Sequence, residues 1–250
     1  NARAENPWPK ERSVLVIAHR CQLTHHSTSP LPKVLAVCLT DRMSDAPNTD
    51  TAYALKTPED SVRLYREWAE TYDQTFAKAT DYGVRAGVGR HCALVGGFGP
   101  VLDVGAGTGL CGEALRGRGF GPVDGTDISP DMLEMARDKG AYRHLFEGDL
   151  LVGLHLPDGP YQGAVSSGTF TNGHVGPKGI NTVLDAVRPG GWIVLAVNSQ
   201  HYAAAGFAAK MDELSVSVTD FSETKVRIYG LASTGPHASD TSLLLTFRKA

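Results

Sequence analysis

A short apolar run, Val101–Val104, leads directly into the turn Gly105-Ala-Gly-Thr-Gly109, and a second short run ends on Asp127 about twenty residues later. This is the layout of a βαβ unit that holds a nucleotide where the first strand meets its helix. Glycine at Gly105, Gly107 and Gly109 lets the backbone turn sharply and approach a ligand closely. The segment therefore predicts an α/β protein with a nucleotide-type ligand at this turn.

Strand and helix patterns alternate along the rest of the chain. Five βα steps followed by a strand pair predict a doubly wound, mostly parallel, Rossmann-like sheet of seven strands, with one antiparallel strand near the C-terminus. The predicted strands are 101–104, 123–127, 145–147, 163–166, 192–197, 216–230 and 242–248, and the predicted helices after the glycine turn are 109–117, 130–139, 178–187 and 202–214.

The residue before the glycine turn favours one class of ligand. Asp103 would repel a pyrophosphate, whereas its carboxylate could help to hold an ammonium group through water. A dinucleotide carries a pyrophosphate, but S-adenosylmethionine (SAM) places its amino-acid end at this turn. We therefore predict SAM as the cofactor, with Asp103, Gly105, Ala106 and Gly107 around that end.

Residues after the next strands supply the remaining expected contacts. Asp127 can accept hydrogen bonds from both ribose hydroxyls, and Ile128 and Met132 offer apolar faces for the adenine. Asp149 can accept from the adenine amino group, and the backbone N–H of Leu150 can donate to the ring. Ligands of open α/β sheets bind at the carboxyl ends of the strands. We therefore also expect the cofactor to contact Ser166, from the segment at the end of the fourth strand, and Tyr65 and Tyr72 of the first helix.

Composition limits the other partners. The formal net charge is −3 and the hydrophobic content is 42%, which is ordinary for a globular domain and gives no general attraction to nucleic acid or acidic lipid. The four cysteines form no Cys-x-x-Cys pair and none has His at metal-ligand spacing, so no metal site is predicted. We expect a cytoplasmic monomer or homodimer acting on a small molecule, with no nucleic acid and no membrane as partner.

The N-terminal part of the chain differs from the rest. Residues 1–45 contain Pro, Ser and His without a supporting pattern, and we expect an extension that is flexible or outside the fold. Residues 46–250 then form the predicted catalytic domain. Thr57-Pro-Glu-Asp60 reads as a helix start. It opens a predicted helical lid over residues 57–97, which includes a second helix over 84–95.

These motifs resemble those of class I SAM-dependent methyltransferases, and more narrowly the small methyltransferase-like family that includes the protein of the Williams–Beuren region. The resemblance covers about four fifths of the chain. It rests on five segments, 65–73, 102–110, 125–133, 148–150 and 168–175, of which Gly168-Thr-Phe-Thr-Asn-Gly-His-Val175 is the narrowest. Family relatives tend to carry a second His where this chain has Asn172. The resemblance implies the cofactor and says little about the methyl acceptor.

His174 is the predicted catalytic residue, because an acceptor that must lose a proton needs a base near neutral pH. The alternative is a loop His that shapes the pocket. Phe170 is a possible acceptor wall, and His201 and Tyr202 either reach the acceptor or merely begin a helix. The predicted function is methyl transfer to a small molecule by in-line displacement, with orientation dominant. A SAM-binding protein without catalysis, a nicotinamide-dependent oxidoreductase and an aminopropyltransferase remain as alternatives.

Overall fold

The glycine turn lies at the carboxyl edge of a seven-stranded sheet. The structure, a computed structural model, describes residues 46–250. The strand order is β3-β2-β1-β4-β5-β7-β6, and all pairings are parallel except those of β7 with its two neighbours. The strands are β1 (Val101–Val104), β2 (Val123–Asp127), β3 (Leu145–Glu147), β4 (Tyr161–Phe170), β5 (Val187–Asn198), β6 (Val218–Arg227) and β7 (Thr241–Lys249). The predicted sheet, with one reversed strand near the C-terminus, is confirmed.

Helices precede the sheet and alternate with its strands. They are α1 (Thr49–Tyr53), α2 (Pro58–Trp68), α3 (Val84–Leu94), α4 (Leu110–Arg116), α5 (Pro130–Asp138), α6 (Gly179–Ala186), α7 (Ser199–Ala205) and α8 (Phe207–Glu213), with a π-helical turn at Asp73–Lys78 and a 3₁₀ turn at Leu214–Val216. Among these described helices, none has the length and apolarity needed to cross a bilayer.

Side chains of the central strands alternate between two apolar layers, because successive residues of a strand face opposite sides of the sheet. Leu102 and Val104 pack into the layer that contains α6 and α8, whereas Val101 packs into the layer that contains α3 and α4. By this alternation Asp103 faces the second layer. The two layers fix the sheet rigidly, so the loops at its carboxyl edge start from defined positions.

The predicted start of the first long helix is confirmed. The Thr57 hydroxyl accepts from the Asp60 backbone N–H at 3.1 Å, and Pro58 occupies the first helical position. These contacts satisfy a free N–H group and preset the backbone of the first turn. Helix α2 then continues to Trp68 and carries an apolar face toward the sheet edge.

Several predicted boundaries differ from the structure, among them the start of β5, which is Val187 and not residue 192. The helix predicted over 202–214 is two helices, because Gly206 adopts a left-handed backbone with φ of +86° and ends α7. Strand β4 continues four residues beyond the predicted end at Ser166, as far as Phe170. The predicted extension over residues 1–45 lies outside the described residues.

Candidate functional site

A cavity lies at the carboxyl ends of β1, β2 and β4, beneath the N-terminal half of α2. Its volume is about 190 Å³, measured to the centre of a water molecule. Lys56, Thr57, Pro58 and Ser61 line it from the start of α2, opposite the glycine turn. The position is the ligand crevice of an open α/β sheet, and the start of α2 forms one of its sides.

The glycine turn forms the floor of this cavity. Gly105, Ala106 and Gly107 all line it. Gly105 has φ of +69°, and a Cβ there would lie 1.7 Å from the Thr169 hydroxyl, so the turn and the end of β4 are in close contact. Gly107 has φ of +53° with no atom within 4 Å of an added Cβ, so its open side faces ligand space. The turn is therefore rigid on one side and open on the other.

Asp127 closes the turn at the end of β2. Its Oδ2 accepts from the Gly107 N–H at 2.8 Å and its Oδ1 accepts from the Ser129 N–H at 2.9 Å. Desolvation raises the pKa of this carboxyl, and the backbone donors oppose that rise. Each oxygen keeps a free lone-pair direction. The half-buried carboxylate can therefore still accept hydrogen bonds from the two hydroxyls of a ribose.

The residues predicted to contact an adenine all line this cavity and combine apolar and polar groups. Ile128, Met132 and Leu150 line it, and the last two are buried. Asp149 also lines it, and its Oδ1 accepts from the Leu151 N–H at 2.8 Å, which orients the loop after β3. Apolar faces flanking a few polar groups suit a flat heterocycle.

Two predicted cofactor residues do not reach the cavity. Asp103 is fully buried on the other face of the sheet, where its Oδ2 accepts from the Tyr142 hydroxyl at 2.7 Å. Burial raises the pKa of Asp103 to about 6. Ser166 is fully buried and its hydroxyl has no partner among the described residues. The next residue, Ser167, lines the cavity instead, because β4 continues and its side chains alternate.

His174 lies at the cavity wall and is held from two sides. Its Nδ1 is 2.9 Å from the Asn172 carbonyl oxygen, and its Nε2 is 2.7 Å from the Tyr65 hydroxyl. A carbonyl only accepts, so Nδ1 carries the proton and Nε2 accepts from Tyr65. Desolvation lowers the pKa of His174 and raises that of Tyr65. The imidazole is therefore neutral at pH 7 and presents a basic nitrogen.

A second cavity of about 70 Å³ adjoins the first. Phe170 and Trp68 line this cavity, whereas His201 and Tyr202 line neither. His201 instead contacts the Val175 carbonyl at 3.0 Å and begins α7. Six residues line both cavities and form the wall between them: Tyr65, Tyr72, Tyr82, Ser167, Gly168 and His174.

Sequence reasoning missed two features of this region. Tyr82, which donates to the Ser167 carbonyl at 2.6 Å, lies just before α3, and no motif marks it. Asp73, the last residue of the Tyr65–Asp73 motif, accepts from the Thr108 hydroxyl in the glycine turn, and Lys139 contacts both residues. The Asp73 carboxylate therefore links the segment that follows α2 to the glycine turn. Across residues 46–250 no group of metal-ligating side chains is found.

Comparison with known sequences agrees with this geometry. Residues 101–191 match a family described as a methyltransferase domain. Methyltransferase-like protein 27 of Homo sapiens is 33% identical over 144 residues, which cover 55% of this chain and 58% of that protein. An 18S rRNA (guanine-N(7))-methyltransferase of Bos taurus is 39% identical over 66 residues, or 26% of this chain and 23% of that protein. The chain spans less than two thirds of either relative.

Solved structures share the fold. The N-methyltransferase NodS of Bradyrhizobium japonicum WM9, solved with S-adenosyl-L-homocysteine, has a TM-score of 0.54 at 15% identity, covering 76% of this chain and 98% of that chain. Residues 101–191 thus match a methyltransferase domain, and they lie on a Rossmann-like sheet whose fold is shared by methyltransferases of known structure. The chain resembles the small methyltransferase-like family that includes the protein of the Williams–Beuren region.

Proposed function

We propose that the larger cavity binds SAM and that the chain transfers its methyl group to a small-molecule acceptor in the second cavity. The residues fit the cofactor. The open turn at Gly107 suits its amino-acid end, the Asp127 carboxylate suits the ribose, and Met132 and Leu150 suit the adenine. When bound, SAM supplies an already activated methyl group, so the protein's own task is to align the acceptor and exclude water.

The residues that line both cavities are the main support for this proposal. A transferase needs the donor and the acceptor in adjoining spaces that meet at one point, and the two cavities meet at Tyr65 and His174. Both residues are held by hydrogen bonds to fixed groups, so their orientation is set before an acceptor binds. Pre-set geometry of this kind lowers the barrier of a displacement reaction.

His174 is proposed as the base. The Tyr65 hydroxyl donates a hydrogen bond to Nε2 of His174. An acceptor that is hydrogen-bonded to Tyr65 can therefore transfer its proton to the Tyr65 oxygen while Tyr65 transfers its hydroxyl proton to Nε2. The lowered pKa of His174 keeps Nε2 free of a proton at pH 7. An acceptor that is already a neutral amine or thiolate needs no such step, and for it His174 acts by position alone.

The proposal extends to the domain boundaries, the segment 57–97 and the oligomeric state. Residues 46–250 form the methyltransferase domain, in which the segment 57–97 closes over the cofactor, and the lid is joined to the turn through Asp73 and Thr108. A monomer or homodimer is sufficient, since every residue invoked belongs to one chain. The rRNA substrate of the Bos taurus relative is a property of that protein. The uncharged second cavity favours a small acceptor here.

The test is a screen with SAM that carries an isotopically labelled methyl group. The full chain is incubated with a metabolite extract and, separately, with total RNA, and mass spectrometry identifies which species gains the label. We expect a small molecule to be labelled. Label in RNA alone would refute the small acceptor, and SAM binding without any transfer would favour a non-catalytic SAM-binding protein.

A further inference from the structure

The second cavity is lined by aromatic and neutral polar side chains. Five tyrosines, three other aromatic residues and His174 line it. Among the described residues, its lining contains no Asp, Glu, Lys or Arg. The aromatic residues are Tyr53, Tyr65, Trp68, Tyr72, Phe76, Tyr82, Phe170 and Tyr229.

This lining selects against charged acceptors. A carboxylate or phosphate placed there would lose its hydration and find no cation in return, which is strongly unfavourable. A primary ammonium group would also lose its hydration, and the lining offers ring faces but no carboxylate to pair with it. Since the pKa of His174 is lowered by burial, its imidazole adds no positive charge at pH 7. A neutral acceptor avoids all of these penalties.

The rings are arranged to receive another ring. Phe76 contacts its neighbours in tilted or edge-to-face geometry, with centroid distances of 5.5 Å to Trp68, 4.9 Å to Tyr72 and 5.2 Å to Tyr82. An added flat ring extends such a cluster favourably. Hydroxyl and amide groups at the rim are tied in place, as Tyr82 is to the Ser167 carbonyl and Tyr53 is to Asn198.

The volume limits the size of the acceptor. A water needs roughly 10–15 Å³ of cavity on this measure. A cavity of about 70 Å³ therefore holds five to seven water-sized groups. That is close to one six-membered ring with one small substituent, and it is smaller than a fused two-ring system.

We propose, on the basis of the proposed function, that the acceptor is an uncharged single-ring aromatic compound with a hydroxyl group that faces Tyr65 and His174. The acceptor oxygen forms its bond to the methyl carbon as its proton passes through Tyr65 to Nε2 of His174, while the sulfonium leaves as a neutral thioether. The imidazolium then releases the proton to water. The overall products are an aryl methyl ether, S-adenosylhomocysteine and one proton.

The test uses three phenols: 4-methylphenol is neutral, 4-hydroxybenzoate carries an anionic carboxylate in place of the methyl group, and 2-naphthol has two rings. Binding of each probe to the S-adenosylhomocysteine complex is followed by ligand-observed NMR, and methylation by mass spectrometry. We expect 4-methylphenol to bind and be methylated, with the other two at least 30-fold weaker. Equal or better binding of 4-hydroxybenzoate overturns the inference, and so does failure of 4-methylphenol to bind a protein that binds SAM. Failure of SAM itself to bind overturns the proposed function instead.

A pair of variants locates the probe. Ala52 is buried and lines the second cavity but not the first, whereas Ala54 follows the last residue of the same helix and is exposed. Ala52→Phe should lower 4-methylphenol binding at least tenfold with SAM affinity within twofold of the wild type, and Ala54→Phe should change neither. If Ala52→Phe does not fold, Thr49→Trp, at the rim of the cavity, is the second blocking variant. Undiminished 4-methylphenol binding by a folded blocking variant contradicts the assignment.

Discussion

Two glycines offer a matched test of the glycine turn. Gly107 and Gly140 have left-handed backbones with φ of +53° and +58°, and neither has an atom within 4 Å of an added Cβ. Replacing either with alanine therefore incurs the same strain, about 1–2 kcal/mol of folding free energy. Only Gly107 lines the cavity. Its new methyl group would occupy space assigned to SAM, and overpacking of this kind costs about 1–3 kcal/mol.

The expected result is a difference between the two variants in ligand affinity and not in stability. Gly107→Ala should weaken SAM binding by roughly 5- to 150-fold, as measured by isothermal titration calorimetry. Gly140→Ala should bind SAM as the wild type does. Thermal unfolding without ligand should lower the melting temperature by a similar amount in both. Wild-type SAM affinity in Gly107→Ala, or equal losses of affinity in both variants, would refute the placement of the cofactor beside the turn.

Three other substitutions test separate parts of the account. Asp127→Ala should weaken SAM binding by about 2–4 kcal/mol because two hydrogen bonds to a carboxylate are lost, and calorimetry should show no change for the exposed control Asp138→Ala. His174→Asn should preserve SAM affinity and slow transfer to a hydroxyl acceptor, whereas the surface control His144→Asn should change neither. Because the pKa of His174 is lowered, the transfer rate of the wild type should rise with pH only below about pH 6.5. A rate that still rises above pH 7 would contradict the role of His174 as the base. Burial raises the pKa of Asp103 to about 6 in the folded protein, so Asp103 loses its proton at a lower pH in the unfolded chain than in the folded one. Raising the pH from 4 to 7 should therefore lower the free energy of unfolding of the wild type by about 2–3 kcal/mol relative to that of Asp103→Asn. Urea titrations across that range measure the difference, and parallel curves for the two proteins would show that Asp103 is not perturbed.

Much of the fold was predictable because its signals are local. The apolar run 101–104 followed by three glycines fixes a strand, a turn and a helix, and Thr57-Pro58 fixes the start of α2 through a cap and a preset backbone angle. The break at Gly206 was missed because a single glycine inside a helical pattern has two outcomes. It is either tolerated or becomes a left-handed helix end, and the sequence pattern does not distinguish them.

The sequence predicted more of the residues that line the larger cavity than of those that line the second one. Gly107, Asp127 and Asp149 follow strand ends, so their meeting at one edge follows from the parallel sheet alone. Asp103 and Ser166 were predicted to contact the cofactor, but neither lines the larger cavity. Successive side chains of a strand lie on opposite faces of the sheet, and the sequence did not determine which residues face the cavity.

The second cavity depends on contacts across long stretches of chain. Tyr82 donates to the Ser167 carbonyl, and Tyr53 from α1 reaches Asn198 at the end of β5. No local pattern signals that these aromatic residues come together. Their assembly requires the packed structure, in which α1 and the lid lie against the edge of the sheet.

The central claim is that the slot at the carboxyl edge of the sheet accepts a sulfonium nucleoside and not a dinucleotide. Calorimetric titration of the full chain with SAM and with NAD⁺, under identical conditions, measures this preference directly. We expect one SAM to bind per chain, with NAD⁺ at least tenfold weaker. Tighter binding of NAD⁺, or no heat of binding with SAM at any temperature tested, would contradict the account.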